Sequence, residues 1–290
     1  MMGRPPNIPK IKSPKHTFLP FFAYGVFKPN QPAFSRIKKY IQEPPIKVYV
    51  NYELRERNGM PILTTNKNEK LTTVGYLIQF STTGEEKAYN IISKTKSSKL
   101  YEWTTLRINN ENTNVLIGKE QDKSNIFPDN NGDYDASKDP IFYKALNFIR
   151  EELYSIRDDF FHVEEYFKLQ MCYMLLWASI ERFTTMKYGN NTKRYNNKKF
   201  STEPIFKERI KNIDLKENIV LNSEDLKEYK FNPQKPKDCI NYYYAIRCNV
   251  IHSGKSSFKD YNLLLNATKE LLIIFKDVLD YNFRNNTEFL

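Results

Sequence analysis

The fold of this chain is decided by the stretch MCYMLLW at residues 171–177, which is apolar on every side of a helix. A helix without a polar face needs neighbours all round, so the stretch predicts the central helix of a bundle. The surrounding pattern extends this helix from about Asp158 to Lys187, and Gly189 supplies a C-terminal stop. The chain beyond about residue 140 is therefore predicted to be all-α.

Three further helices are predicted around the central one. Asp139 is a good N-cap and Pro140 a good first helical residue, so a helix is predicted to begin there. Two more are predicted from about Asp238 to His252 and from Tyr261 to Phe283. The basic, asparagine-rich segment Thr192–Lys199 is predicted to be a loop.

The N-terminal half has a different pattern. Short β-branched and aromatic runs alternate with turns, which predicts a small mixed or barrel-like sheet. The predicted strands are Phe18–Phe27, Ile46–Tyr52, Thr72–Phe80, Tyr101–Ile108 and Asn114–Ile117. One helix is predicted after Pro32, because apolar residues recur there at helical spacing. The predicted fold class is thus α+β, a β-barrel-like domain followed by a helical bundle.

The predicted domains are residues 18–118 and 140–290, joined by a linker at 119–139 and preceded by a flexible basic arm at 1–17. Carboxylates in the linker are spaced roughly as in a calcium loop. However, Tyr134 stands where such a loop needs glycine and Pro140 where it needs glutamate, so a solvated linker is the better interpretation. The arm lacks the apolar core of a secretory signal.

The charge of the chain favours a polyanionic partner. With 290 residues and a formal net charge of +11, nucleic acid is expected before membrane, because no stretch is apolar enough to span a bilayer. The alternative is that a lysine-rich surface only keeps the protein soluble. Cys172, Cys239 and Cys248 have no metal-type spacing and are interpreted as reduced thiols of a cytoplasmic protein.

Arg247 and His252 lie near the end of the predicted helix 238–252. A guanidinium can hold phosphate oxygens and an imidazole can shuttle a proton near neutrality, so the pair suits phosphodiester chemistry. Arg247 falls on the apolar stripe of the helix, whereas His252 lies about 140° round the axis from it. The alternative is structural, with the arginine paired in the bundle and the histidine capping the helix end.

Glu181 is the predicted partner of Arg247. It shares a face of the central helix with Met174 and Trp177, so it too is a charge among apolar neighbours. Each charge would be expensive without the other. An ion pair between the two helices is therefore expected.

The run Arg247–His252, followed by Ser253-Gly254, resembles the Arg-x4-His signature of the HEPN superfamily of helical domains, in particular its abortive-infection type. The tyrosines at 242–244 and the segment Leu176–Glu181 are similar to the same type. The resemblance covers about residues 140–290. It departs at Cys248, where the family commonly has a polar residue, for which Asn249 is the candidate substitute.

Such domains are mostly metal-independent endoribonucleases, often toxins or phage-defence effectors, that work as dimers. The resemblance implies that His252 moves a proton as a ribose 2′-hydroxyl attacks the adjacent phosphate, while Arg247 holds that phosphate and Glu181 orients Arg247. Asn249 is included among the candidate catalytic residues. The resemblance also implies one composite cleft between two protomers, with no cofactor and no metal.

Candidates for binding the RNA chain are mostly basic. They are Lys193, Arg194, Tyr195, Lys198, Lys199 and Lys255, with Tyr195 able to stack a base. The alternative is that the segment around residues 193–199 is only a mobile, solvated loop.

A segment with the pattern of a strand followed by a turn contains Tyr24, Gly25, Val26 and Phe27. Its backbone amides could bind a small anion. The alternative is an ordinary connection between two elements. The run from Tyr24 to Asn30 resembles the first motif of the gamma-glutamylcyclotransferase-like (AIG2-like) fold, with Asn30 in place of a glycine. Strands near Val74 and Tyr101 are similar to later strands of that fold, so the resemblance covers about residues 18–118.

The catalytic glutamate of that fold is expected about six residues before Tyr101, where this chain reads KTKSS at 94–98. Without a general base, cyclotransferase activity is not expected. A ligand-sensing pocket at Tyr24–Phe27 and a protein-docking module remain as interpretations.

Three functions therefore stand side by side. The first is a dimeric endoribonuclease regulated or targeted by its N-terminal domain. The second is a non-catalytic helical module for dimerisation or nucleotide binding. The third is a small-molecule enzyme of gamma-glutamyl type acting through the N-terminal half.

Overall fold

The structure is a computed structural model that describes most of the chain. The described residues are 9–57, 59–67, 71–119, 125–126, 132–156, 163–189, 191–213, 219–223, 225–253 and 258–284. The chain divides into two compact units, Met1–Ala136 with Met186–Asn191 and Asn282–Leu290, and Ser137–Thr185 with Thr192–Tyr281. The fold is α+β, with a curled sheet in the N-terminal half and helices in the C-terminal half, as the sequence predicts.

The first unit is built on a mixed sheet. Its strands are β1 (Phe21–Ala23), β2 (Ile46–Val50), β3 (Tyr52–Arg57), β4 (Met60–Lys67), β5 (Thr73–Ile78), β6 (Tyr101–Ile108), β7 (Glu111–Gly118) and β8 (Asn125–Ile126), with helix α1 (Glu85–Thr95) between β5 and β6. Within the described residues the strand order is β2-β5-β1-β7-β4-β3-β8, and β6 also pairs with β7. The fully buried β1 runs antiparallel to β5 and parallel to β7, which places it at the centre of the core.

Each predicted strand overlaps an observed one, but other elements differ from the prediction. The hairpin β3–β4 and helix α1 were not predicted. The helix predicted after Pro32 is wrong, because Phe34–Arg36 and Lys38–Tyr40 form only short 3₁₀ turns. Ile41 then leaves in an extended conformation to pair with Phe80, which ends the helical path.

The arm predicted to be flexible is packed from Pro9 onward. The carbonyl oxygen of Pro9 accepts a hydrogen bond from Ser98 N at 2.9 Å, and that of His16 accepts one from Asn114 Nδ2 at 2.7 Å. The prediction is wrong for residues 9–17, because groups of the first unit satisfy the backbone of the arm. Residues 1–8 lie outside the described part of the chain.

The linker prediction is also wrong where the chain is described. One piece forms β8, and further on Val74 N donates to Gly132 O at 2.9 Å. Asp133, one of the carboxylates of the calcium-like spacing, pairs instead with the buried Lys28. These contacts make residues 132–136 a part of the first unit.

Replacing Gly132 by alanine is expected to destabilise the protein by about 2 kcal/mol. Gly132 has a φ of +65°, and a Cβ there would lie 1.7 Å from the carbonyl oxygen of Thr72. Asn110→Ala is the matched control, because Asn110 also has a positive φ (66°) but is exposed. Urea unfolding would measure both variants, and equal losses of stability would contradict a role for the close approach to Thr72.

The C-terminal half is helical. Its elements are α2 (Pro140–Ser155), α3 (Val163–Tyr188), α4 (Lys193–Phe200), α5 (Pro204–Arg209), α6 (Pro236–Ser253) and α7 (Phe258–Arg284), with a hairpin of β9 (Ile219–Leu221) and β10 (Glu228–Lys230). The predicted cap is confirmed, since Asp139 Oδ1 accepts a hydrogen bond from Ile141 N at 3.1 Å. Among the described residues, none of the helices combines the length and the apolar character that crossing a membrane requires.

Helix α4 replaces the loop predicted at Thr192–Lys199. Thr192 caps the helix, and Asn196, Asn197 and Phe200 are buried on one of its faces. The loop prediction is wrong because asparagine disfavours helix mainly where its side chain competes with the backbone in water, and here the asparagines pack inside.

Candidate functional site

The helix α6 runs to Ser253 and so contains both Arg247 and His252. Its buried residues, which lie on most sides of the helix, are Cys239, Ile240, Tyr242, Tyr243, Ala245, Ile246 and Cys248. Ile251, predicted to share the core stripe, is instead exposed. The side chain of His252 lies outside the described residues, but a continuous helix keeps the offset of about 140° between its position and that of Arg247.

Arg247 is held at the edge of the core beside Glu181. Its Nη2 atom lies 4.0 Å from Glu181 Oε1, and its guanidinium carbon lies 5.6 Å from the ring centroid of Tyr244. The buried Nε atom of Arg247 has no hydrogen-bond partner among the described residues. The structure thus brings the predicted pair together as an ion pair beyond hydrogen-bond distance.

The first half of α3 has an exposed apolar surface among the described residues. Val163, Phe167 and Met171 on that surface are 46%, 55% and 59% exposed. Burial of the central helix on every side was predicted, and for Met171 this is wrong. These three residues, called the α3 strip below, form an exposed apolar surface that leads along the helix towards Glu181.

Asn249 serves the fold. Its Oδ1 accepts hydrogen bonds from Ser223 N at 2.8 Å and Ser223 Oγ at 3.0 Å, while its Nδ2 donates to Leu221 O at 2.9 Å. The side chain therefore ties the hairpin β9–β10 to α6. These bonds give Asn249 a structural role, and its catalytic role stays a prediction.

Cys248, where the sequence departs from the HEPN pattern, faces the core. It is buried, and it lies close enough to Tyr173 to affect the phenol electrostatically. Tyr173 in turn donates from its hydroxyl to the carbonyl oxygen of Tyr243 at 2.7 Å. A small, weakly polar thiol fits this environment, and the substitution leaves the exposed side of α6 unchanged.

Behind α6 lies a partly buried carboxyl group. Burial raises the pKa of Glu270 to about 7, although the hydrogen bond that Tyr243 OH donates to its Oε2 at 3.0 Å acts in the opposite direction. The folded state therefore holds this proton more tightly than the unfolded chain does. The stability that Glu270 contributes is fully present below its ordinary pKa of 4.5 and is lost as the pH rises through about 7.

Glu270→Gln is therefore expected to raise the free energy of unfolding by about 1 kcal/mol at pH 8 and to change it little at pH 4.5, after discounting for partial exposure. Glutamine keeps the hydrogen-bond acceptor but cannot ionise. Urea unfolding at both pH values measures the effect, with Glu208→Gln on the exposed surface of α5 as the control. A gain of the same size at both pH values would contradict the assignment.

The predicted RNA-binding residues lie mainly on α4, which packs against α6. Tyr195 and Lys198 are exposed, and Lys199 Nζ lies 5.5 Å from the ring centroid of Tyr195. The side chains of Lys193 and Arg194, and the whole of Lys255, lie outside the described residues. The structure thus places a basic, aromatic helix next to the one that carries Arg247.

The turn predicted to form a ligand pocket is closely packed. Tyr24, Val26 and Phe27 are buried, and the cavity that they line with Gly25 measures about 10 Å³, room for about one water molecule. A Cβ on Gly25 would lie 2.9 Å from Pro61 Cγ. In this conformation a gamma-glutamyl compound does not fit, so a ligand would require the lining to move.

Two lysines near this turn were not predicted as notable. Lys96 lines the same small cavity, with its Nζ 4.7 Å from the ring centroid of Tyr101, in the stretch where the resemblance leads one to expect a carboxylate. Lys28 is buried, and burial lowers its pKa while its contact with Asp133 raises it. In the sequence, only the missing carboxylate drew attention to the stretch that contains Lys96. No local pattern distinguished Lys28 from the other lysines.

Within the described part of the chain, no group of three or more His, Cys, Asp or Glu side chains is arranged to hold a metal ion. Asn30 has a φ of 64°, the left-handed region that asparagine tolerates better than most residues, so its replacement of a motif glycine is conformationally acceptable. Comparisons of the chain with protein-family models, with curated proteins and with solved structures gave no match.

Proposed function

We propose that this chain is a metal-independent endoribonuclease of HEPN type that acts as a homodimer. The observation that carries the proposal is the environment of Arg247, a half-buried guanidinium whose Nη2 lies 4.0 Å from Glu181 Oε1, beyond hydrogen-bond distance. Keeping a cation at the edge of a core without hydrogen-bonding it to its carboxylate is costly unless another anion completes the site. A phosphate of RNA is such an anion.

The proposed reaction is an internal transesterification. The ribose 2′-hydroxyl loses its proton to His252 and attacks the adjacent phosphorus, so a 2′-O–P bond forms as the 5′-O–P bond breaks. A proton is returned to the departing 5′-oxygen, which leaves a 2′,3′-cyclic phosphate and a 5′-hydroxyl. Arg247 stabilises the charge that builds up on the phosphate oxygens, and Glu181 positions Arg247.

The α3 strip supports a dimer with its cleft at the interface. Val163, Phe167 and Met171 expose apolar surface on the face of α3 that carries Glu181, and a second copy would cover it. Two symmetry-related copies of α6 would then meet near Arg247. The angular offset between Arg247 and His252 is then no obstacle, because each cleft can take its arginine from one protomer and its histidine from the other.

The α4 residues Tyr195, Lys198 and Lys199 extend this site along the RNA, with Lys193 and Arg194 on the same helix. The first unit regulates or targets the nuclease. In this proposal the whole chain is a cytoplasmic toxin or phage-defence effector. The runner-up is a non-catalytic module for dimerisation or nucleotide binding.

Incubation of the purified wild-type protein with total RNA, in excess EDTA, separates the two. The ribonuclease is expected to cut in EDTA and to leave 2′,3′-cyclic phosphate and 5′-hydroxyl ends, which end-specific enzymatic labelling detects. Intact RNA at every protein concentration favours the non-catalytic module. Cleavage that requires an added divalent metal would contradict the proposed chemistry.

A further inference from the structure

A second exposed apolar surface lies on helices that do not carry the candidate site. It is a groove of about 690 Å³ between α2 and α7, called the α2–α7 groove below. One wall comes from Tyr143, Leu146, Asn147, Arg150, Leu153 and Tyr154 of α2, and the other from Lys269, Leu272, Ile273 and Lys276 of α7. Tyr143, Tyr154 and Ile273 are 67%, 83% and 58% exposed, so the groove is an open trough and not an enclosed cavity.

The spacing of the wall residues is helical on both sides. On α2 and on α7 they recur at i, i+3, i+4 and i+7, which places each set in one stripe along its helix. The core of the second unit uses another stripe of α2, that of Phe142, Ala145 and Ile149, although Phe142 also reaches the groove. Within the described residues the groove stripe of α2 therefore lies outside that core, and two neighbouring stripes form the usual seat of a third helix.

The charge on the groove has one sign. Arg150, Lys269 and Lys276 line it, and no carboxylate does so within the described residues. Lys276 also meets Asp280 at 3.1 Å, but an exposed pair of this kind neutralises little. The occupant is thus expected to be apolar along its centre and acidic along its flanks.

We propose that the α2–α7 groove binds an acidic amphipathic helix of a partner protein. The stretch from Tyr143 to Tyr154 accommodates a helix of about three turns, since each residue rises about 1.5 Å. A shallow trough rimmed by exposed tyrosines and an arginine has the composition of a protein-binding hot spot, whereas small-molecule sites enclose most of their ligand. The proposal does not depend on ribonuclease activity, because the groove shares no residue with Arg247, Glu181 or the α3 strip.

The experiment is a selection of helical peptides on the full-length protein. A displayed library of helix-forming peptides, randomised at all surface positions, is panned on the wild type, and enriched peptides are measured by fluorescence anisotropy. Enriched sequences are expected to carry apolar residues at i, i+3 or i+4, and i+7, flanked by Asp and Glu. Ile273→Glu is expected to weaken their binding at least tenfold, and Arg150→Glu several-fold, with partial recovery when lysine replaces the acidic flanks of the peptide.

Phe148→Glu is the matched control, because Phe148 is an exposed apolar residue of α2 that does not line the groove. It is expected to leave the binding unchanged. No enrichment, enrichment of basic peptides, or equal binding to Ile273→Glu would overturn the proposal. Two further outcomes of Ile273→Glu would also overturn it. A lower oligomer mass of the unliganded protein would assign the groove to a second copy of the chain. Loss of binding to phosphatidylglycerol vesicles would assign it to lipid.

Discussion

Replacing His252 by alanine is expected to lower the rate of RNA cleavage by about 100- to 10,000-fold, the usual contribution of a general acid–base group. His252 lies in the last turn of α6, and its replacement removes the proposed proton shuttle. Arg247→Ala is expected to cause a loss of similar size, because the phosphate then lacks its cation. Rates are measured on a labelled RNA in EDTA, and circular dichroism checks that each variant is folded.

Mixing the two inactive variants gives a sharper test of the composite cleft. If each cleft takes its arginine and its histidine from different protomers, a dimer of His252→Ala with Arg247→Ala contains one intact cleft. With random exchange of protomers, half of the dimers are mixed, so roughly a quarter of the wild-type activity should return. Full activity of His252→Ala alone would contradict the mechanism, and a dead mixture of exchanged protomers would place both groups within one chain.

Phe275→Ala is expected to lower the free energy of unfolding by about 3–5 kcal/mol, the typical loss for a buried phenylalanine. Phe275 is fully buried on α7, and the ring centroids of Phe142, Phe183 and Phe200 lie 6.3, 6.0 and 6.1 Å from its own. Removing it leaves a cavity among the four helices α2, α3, α4 and α7. It also breaks all three ring contacts, each of which stabilises the fold beyond the apolar area that it buries.

Urea unfolding followed by circular dichroism measures this loss. Phe148→Ala is the matched control, since it deletes the same atoms from a position on α2 that is 42% exposed, and it is expected to cost less than about 1 kcal/mol. Comparable losses for the two variants would mean that Phe275 is not the centre of this core. Phe275→Ala is not expected to increase RNA cleavage, because the aromatic cluster packs against α3, the helix that carries Glu181.

The sequence predicts the position of a helix correctly where contacts between near neighbours in the chain determine where it begins or ends. Asp139 and Pro140 predicted the start of α2 because capping is a contact between near neighbours in the chain. The ends of α6 and α7 were likewise predicted to within a few residues. Helix α4 was missed, because its stability comes from burying Asn196, Asn197 and Phe200 against residues distant in sequence.

The candidate site was predictable only in part, for a similar reason. The pairing of Arg247 with Glu181 follows from the high free energy of a lone charge in a bundle, which a sequence reveals. The role of Asn249 could not be foreseen, since the hairpin to which it bonds was not predicted. Nor does an apolar run such as MCYMLLW tell which of its residues the rest of the chain covers, which is why the exposure of Met171 was unexpected.

The bonds between Asn249 and the hairpin have a consequence for how related chains would diverge. Two of the three bonds of Asn249 go to backbone groups, Ser223 N and Leu221 O, so the asparagine stays bonded whatever side chain stands at position 223. Asn249 should therefore be retained across descendants while residue 223 varies, and Arg247, two residues away, should follow its own selective pressure. Two neighbouring positions of α6 would thus be conserved for different reasons, Asn249 for folding and Arg247 for the proposed chemistry.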